Sequence, residues 1–411
     1  MAQKIADGIF WTGVNDYTSN LFEGIWPIPD GVTINSYVVK GEKTAIIDIV
    51  KASGGGSSAS LNQQFKSIGV EPEEIDYIIL NHLEPDHTGY LPILQKFCPK
   101  AEIITSKKGK PLVEAFYHIS EGVRAVGDGD TLDLGAGKVL HFFDVPNVHW
   151  PETMVTFEES TGVLFSCDAF GSFGAFKGTI FADEIPEEDK DFFEYETLRY
   201  YANIVSGFAP FVIKAINKLA PMLDKIKMIA PSHGLIWRDP MSIIKQYQCL
   251  SNYANEYGEP EITVIWGSMY GNSEVMLRAI LRGIAKEGVK VTIHKVPETH
   301  VSNVLASAWK SAGLVIGMPT YEYSVFPPMA YVLDLMKLKR FKHKKVMRFG
   351  SFGWVGGAQK GFEERIKNLN WDVDSIVEFQ GGPTNEDLKK AEEKAAAFAR
   401  QIKEIPKKLE C

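Results

Sequence analysis

Asn81-His82-Leu83-Glu84-Pro85-Asp86-His87 follows directly on the apolar run Asp76-Tyr77-Ile78-Ile79-Leu80. A run of β-formers ending in a polar turn predicts a buried strand that delivers its C-terminal edge to a site. Four groups able to hold metal, His82, Glu84, Asp86 and His87, sit within six residues of that edge. Ligands at alternating positions point to two different places, so the layout predicts a two-metal centre. Burying four such groups unpaired would be costly, which argues against a merely structural cluster.

Working outward, further candidates stand at the ends of other apolar runs. His149 follows Val145-Pro146-Asn147, Asp168 follows Leu164-Phe165-Ser166-Cys167, and His233 follows Ile229-Ala230-Pro231-Ser232. Together with the first four they supply four imidazoles and three carboxylates. Taken singly, His149 or His233 reads equally well as a hydrogen-bonded structural histidine. His118, His141, His294, His300 and His343 lack such a context and read as structural or surface residues.

Around these sites the chain alternates strands and helices. Tyr37 to Asp48 reads as strand, tight turn and strand. Residues 54–58, Gly-Gly-Gly-Ser-Ser, form a flexible loop or the approach to a helix around Leu61 to Ile68. Strands are predicted at Glu102 to Thr105, Val139 to Asp144, Met154 to Glu158 and Gly162 to Cys167, and helices from Asp189 to about Leu223 and from Met241 to Tyr257. Layered strands and helices predict a sheet-and-helix sandwich, because each sheet needs its apolar face covered. Tyr257-Gly258-Glu259-Pro260 marks a boundary between domains 1–256 and 260–411. Beyond it, strands at Glu261 to Trp266, Val289 to His294, Gly313 to Gly317 and Lys345 to Phe349 alternate with helices, ending in a helix from Asn385 to about Ile402. That is the pattern of a doubly wound parallel sheet.

Composition agrees with two domains: 411 residues and 45% hydrophobic content supply enough apolar material for two cores. Lys+Arg 44 against Asp+Glu 52 leaves a net charge of -8 and no long basic run, which excludes a nucleic-acid footprint. No segment approaches the roughly 20 apolar residues of a membrane span, and the N-terminus lacks an apolar secretory core, so the expected location is cytoplasmic. Cys98, Cys167, Cys249 and Cys411 are scattered without a CxxC pair and read as reduced thiols.

Three loops in the second half share a position at the carboxyl end of a predicted strand. Ser268-Met269-Tyr270-Gly271-Asn272-Ser273 joins hydroxyls and a glycine turn to a helix N-terminus, which is either an anion site or simply a capped turn. Pro319-Thr320-Tyr321-Glu322 follows the strand at 314–316. Ser351-Phe352-Gly353-Trp354-Val355-Gly356-Gly357 follows the strand ending at Gly350. Ligands bind at such edges, and Tyr321 and Trp354 offer flat faces to an aromatic ring. No GxGxxG is present, which argues against a dinucleotide.

The first half resembles the metallo-β-lactamase fold, whose two-metal site is built from such strand edges, and Asp168 takes the bridging position by that resemblance. Hydrolases of that fold place His where this chain has Glu84. Carboxylate in place of imidazole favours iron over zinc, and redox chemistry over hydrolysis. The three later loops resemble the phosphate loop and ring-flanking loops of flavodoxin, which binds FMN. The whole chain, including the His149-Trp150-Pro151-Glu152-Thr153 context, resembles the flavodiiron proteins.

That resemblance implies reduction of O2 to water, of NO to N2O, or both, with O2 placed ahead of NO. It implies FMN and two irons per chain: His82, Glu84 and His149 on the iron nearer the flavin, Asp86, His87 and His233 on the other, Asp168 between them. It also implies a head-to-tail homodimer, with a dimer of dimers as the larger alternative, and an external donor such as rubredoxin, or reduced F420 in a methanogen. Glu23, where the family often has His, and Tyr195 are its candidate neighbours of the site; Glu23 is equally well a proton donor or a surface acid. Glu322, where the family usually has Asn, would disfavour an anionic reduced flavin. A zinc hydrolase fused to an electron carrier, and a redox-inactive scaffold, are the competing readings.

Overall fold

In the computed structural model, which describes residues 1–51 and 58–408, the strand Ile75–Leu80 lies inside a seven-stranded sheet. Its neighbours are Thr44–Ile47 and Glu102–Ser106, both parallel to it. A parallel central position is buried on both faces, which explains the continuous apolar run. A second sheet of five strands, Thr131–Asp133, Val139–Asp144, Met154–Glu158, Val163–Cys167 and Met228–Pro231, packs against the first. Side-chain alternation divides the core. Tyr37, Val39, Ile47 and Ile79 point into the layer shared with Leu140, Phe142, Phe165 and Met228 of the second sheet. Val38, Ile46, Ile78 and Leu80 point the other way, against Phe65, Leu91, Leu94 and Val113 of the covering helices.

Helices therefore cover the outer faces, as the sequence predicts for a sheet-and-helix sandwich. The long helical region is broken: Glu187–Tyr200 passes through a π turn at Tyr201–Val205 and a 3-10 turn at Ser206–Phe208 before Ala209–Leu219. The chain divides into two compact units, residues 1–201 with 210–248, and residues 202–209 with 249–411. Of the predicted loop at 54–58, residues 54–57 lie outside the described residues. Cys98 and Cys167 are free and buried.

The second unit is a five-stranded, all-parallel sheet in the order Val291–Lys295, Glu259–Trp266, Ser311–Gly317, Lys345–Phe352, Asp372–Gln380. This is the flavodoxin-like order, with ligand loops at the carboxyl ends of its strands. The fifth strand, Asp372–Gln380, is absent from the sequence reading. It is an edge strand in which most residues are exposed or half-exposed, so its run of acids and hydroxyls hides the β pattern.

Candidate metal centre and cofactor cleft

All seven candidate metal ligands converge, and they do so as two sets. His82, Glu84, His149 and Asp168 offer ligand atoms within 4.8 Å of one another, and Asp86, His87 and His233 do the same. In the first set, His82 Nε2 lies 3.3 Å from Glu84 Oε2 and 3.4 Å from Asp168 Oδ2. His149 Nε2 lies 3.1 Å and 3.2 Å from the same two oxygens. In the second set, His87 Nε2 is 2.9 Å from Asp168 Oδ1, and His233 Nε2 is 3.2 Å from Asp86 Oδ2. Each oxygen of Asp168 thus faces a different set.

The local backbone explains the split. After the strand ends, Glu84 is still extended and caps a single helical turn, Pro85–Thr88, which swings Asp86 and His87 away from His82 and Glu84. The residues that aim the other loops adopt the left-handed conformation that L side chains rarely take: Asn147 (φ 64), just before the His149 turn, and Cys167 (φ 54), before Asp168. Beneath the loops lies buried Asp48, also left-handed at φ 50. Its Oδ1 accepts from the Asn81 amide (2.8 Å) and its Oδ2 from the Ser232 hydroxyl (3.1 Å), tying the residues that precede His82 and His233.

The electrostatics call for a cation. Burial opposes charging His82, but its bonds to Glu152 and Glu84 and the charge of Asp168 prevail and raise its pKa to about 10. His149, buried beside Asp168 and Glu84, likewise rises to about 10, and His87, beside Asp86 and Asp168, to about 9. Burial also opposes ionising Glu84 and Asp168, yet the facing imidazoles hold both below the usual carboxylate range. His233 Nε2 and Asp86 Oδ1 are buried and make no hydrogen bond among the described residues. A metal ion at each set would satisfy these atoms and take the place of the protons, so the donor set fits a two-metal centre.

A cavity of about 260 Å³ opens on Glu84, Pro85 and Asp86, with Phe22, Glu23 and Lys51 among its other walls. Glu23 is exposed there, and its Oε2 accepts from the Trp26 indole at 2.8 Å. Lys51 Nζ donates to Ser19 Oγ (2.6 Å) and pairs with buried Asp16. Tyr195 is 40% exposed on the helix Glu187–Tyr200. The tyrosine whose ring meets a cluster histidine is Tyr200, centred 5.9 Å from the His233 ring. Its buried hydroxyl makes no hydrogen bond among the described residues, and burial with the charge of Asp168 pushes its pKa well above the ordinary phenol value. Sequence reasoning missed Tyr200, although helical spacing carried the signal: Phe193, Glu196, Thr197 and Tyr200 share the buried face, and Tyr195 does not.

In the second unit the three loops line one cleft of about 340 Å³. Ser268, Met269, Tyr270, Asn272, Pro319, Thr320, Tyr321, Glu322, Ser351, Phe352, Gly353, Trp354 and Val355 face it, joined by Tyr323 and Gly381, which the sequence reading did not include. Gly271, Ser273, Gly356 and Gly357 stand behind this lining. Gly271, at φ +92, caps the helix Asn272–Ala285, whose first amides supply an anion site. Ser273 Oγ is buried in that first turn and makes no hydrogen bond. At Gly357 a Cβ would lie 2.1 Å from the Tyr323 carbonyl, so only glycine fits. Tyr321 and Trp354 are exposed, and Trp354 Nε1 donates to the Tyr323 hydroxyl at 3.2 Å. An anion site beside exposed aromatic faces fits a phosphorylated flat ring.

The ODP family beta lactamase profile matches residues 32–234, and the Flavodoxin profile matches residues 264–394. A nitric oxide reductase of Moorella thermoacetica is 31% identical over 98% of this chain and 100% of its own length. A rubredoxin-oxygen oxidoreductase of Megalodesulfovibrio gigas is 32% identical over 98% of each chain. The crystal structure of the flavodiiron protein from Giardia intestinalis superposes with a TM-score of 0.90 at 25% identity, covering 98% of this chain and 97% of that one. A β-lactamase-like unit carrying this ligand set and followed by a flavodoxin unit defines an oxidoreductase. The chain belongs to the flavodiiron proteins. Among the described residues no helix is long and apolar enough to cross a membrane.

Proposed function

We propose that this protein is a cytoplasmic reductase of O2 to water, of NO to N2O, or both, with O2 ahead of NO, working at two irons fed with electrons by FMN. The observation that carries the reading is the ligand arrangement. Two sets of two imidazoles and one carboxylate share Asp168, on a chain that also holds a cleft fitted to a flavin. When bound, the irons supply redox-active positions open to a small gas, and FMN supplies electrons one at a time.

The protein's own groups then divide the remaining work. Glu84 and Asp86 line the cavity and would hold their metals beside the space that a diatomic molecule could enter. Tyr200 has a hydroxyl free to hold a hydrogen bond beside His233, and Glu23 and Lys51 place an acid and an ammonium on the cavity wall. Both reductions consume protons, so these three groups are suited to hold and pass them. In the cleft, the helix start after Gly271 would hold the phosphate, Tyr321 and Trp354 would flank the ring, and Glu322 would set a carboxylate near it.

An external donor is required; rubredoxin, which the name of the M. gigas relative carries, is the first candidate, and reduced F420 the second. A head-to-tail homodimer, or a dimer of two such dimers, completes the proposal. The test is anaerobic turnover of photoreduced, metal-analysed protein with O2 and, separately, NO. Consumption of either gas by protein containing iron and FMN is the expected result. A colourless protein with two zincs would favour a hydrolase, and failure to consume either gas would overturn the proposal.

A further inference from the structure

The two metal sets are matched in their inner ligands, each with two imidazoles and one carboxylate plus one oxygen of Asp168. Any difference between the two positions must come from the groups behind the histidines. There the structure is lopsided. His82 Nδ1 faces the carboxylate of buried Glu152 at 2.8 Å, and the same Glu152 oxygen is fixed by the Leu83 amide at 3.0 Å. His233 Nδ1 meets only a neutral acceptor, the Thr33 carbonyl, at 2.6 Å. His87 Nδ1 is buried and makes no hydrogen bond among the described residues.

A carboxylate behind a ligating imidazole fixes the ring and makes its other nitrogen a stronger donor, and removing such a partner typically costs about 10–100-fold in metal affinity. A neutral carbonyl orients the ring without adding charge, and an unpartnered nitrogen does neither. From this geometry, and resting on the two-metal reading above, we infer that the centre loads in order. The position of His82, Glu84 and His149 fills first and holds its ion more tightly, and the position of Asp86, His87 and His233 is the exchangeable one. Glu152 is the positioning residue that creates the difference. It acts through His82 and touches neither metal nor substrate.

The test uses the full chain with FMN bound and iron removed. One equivalent of Fe(II) is added anaerobically, and the occupancy of each position is read from iron anomalous scattering in crystals. At least about tenfold higher occupancy at the His82 position is expected. Glu152→Gln keeps the shape and an acceptor for both N–H groups but removes the charge, and should bring the two occupancies within about threefold. Equal filling in the native protein, prior filling of the Asp86 position, or a preference undiminished in E152Q would each overturn the inference while leaving the two-metal reading intact. No iron at either position under saturating Fe(II) would overturn both.

Discussion

The metal cluster and the flavin cleft are built on opposite principles. The cluster is a cage of charge: all four imidazoles and Asp168 are buried, and their positions are fixed by loops from both sheets of one sandwich. The cleft is a slot between loops at one sheet edge, lined by exposed aromatic rings, hydroxyls and amides, with Glu322 as a carboxylate among them. Buried charge is tolerable only when it is balanced, so the cage depends on its occupants or on protons standing in for them. The slot exposes apolar faces to water and depends on its occupant far less, because its loops rest on a sheet that is already packed.

The difference can be broken most sharply at Asp168. Asp168→Ala removes the group facing both sets, so iron content should fall at both positions while FMN remains at the native level. Metal analysis beside flavin absorbance would show this, and loss of FMN with retained iron would contradict the division. A second contrast lies in pH. In metal-free protein His82, His149 and His87 titrate near 9 to 10, above the roughly 6.5 of an unfolded chain. Their contribution to stability is full below about pH 6.5 and is lost as pH rises through 9 to 10. Glu84 and Asp168, held below their unfolded values near 4, act in the opposite sense and lose their contribution on acidification. Thermal unfolding of metal-free protein should therefore weaken above pH 9, and iron-loaded protein, whose imidazoles are already deprotonated, should not show that fall. The smallest effect belongs to the slot. Trp354→Ala removes one exposed ring face and should weaken FMN binding about tenfold in a fluorescence titration, with iron content unchanged.

The same contrast governs what could be read from sequence. The cage announces itself because metal chemistry needs particular side chains at strand ends, and the cluster from His82 to His87 puts four of them on one edge. Both fold types followed from strands such as Ile75–Leu80 and Glu259–Trp266, whose buried C-terminal halves leave a largely apolar signature. What stayed hidden depends on packing between distant segments. Glu152 meets His82 across 70 residues, and Asp48 meets Ser232 across 184. Nothing local marks either acid as anything but a polar residue in a turn. Tyr323 and Gly381 belong to the slot only through the folding of the loops around its mouth, and Asp372–Gln380 is a strand only because Lys345–Phe352 offers it an edge.

Asp48 carries a consequence for how the protein is made. It leaves the ribosome well before its second partner, and at elongation rates of about 5–20 residues per second Ser232 follows on the order of ten seconds or more later. Late in that interval the nascent chain carries His82, Glu84, Asp86 and His87 while the clamp is still open and His233 is still to come. Because Ser232 and His233 are neighbours in the chain, the last ligand of the cluster is made together with the last tie of its clamp.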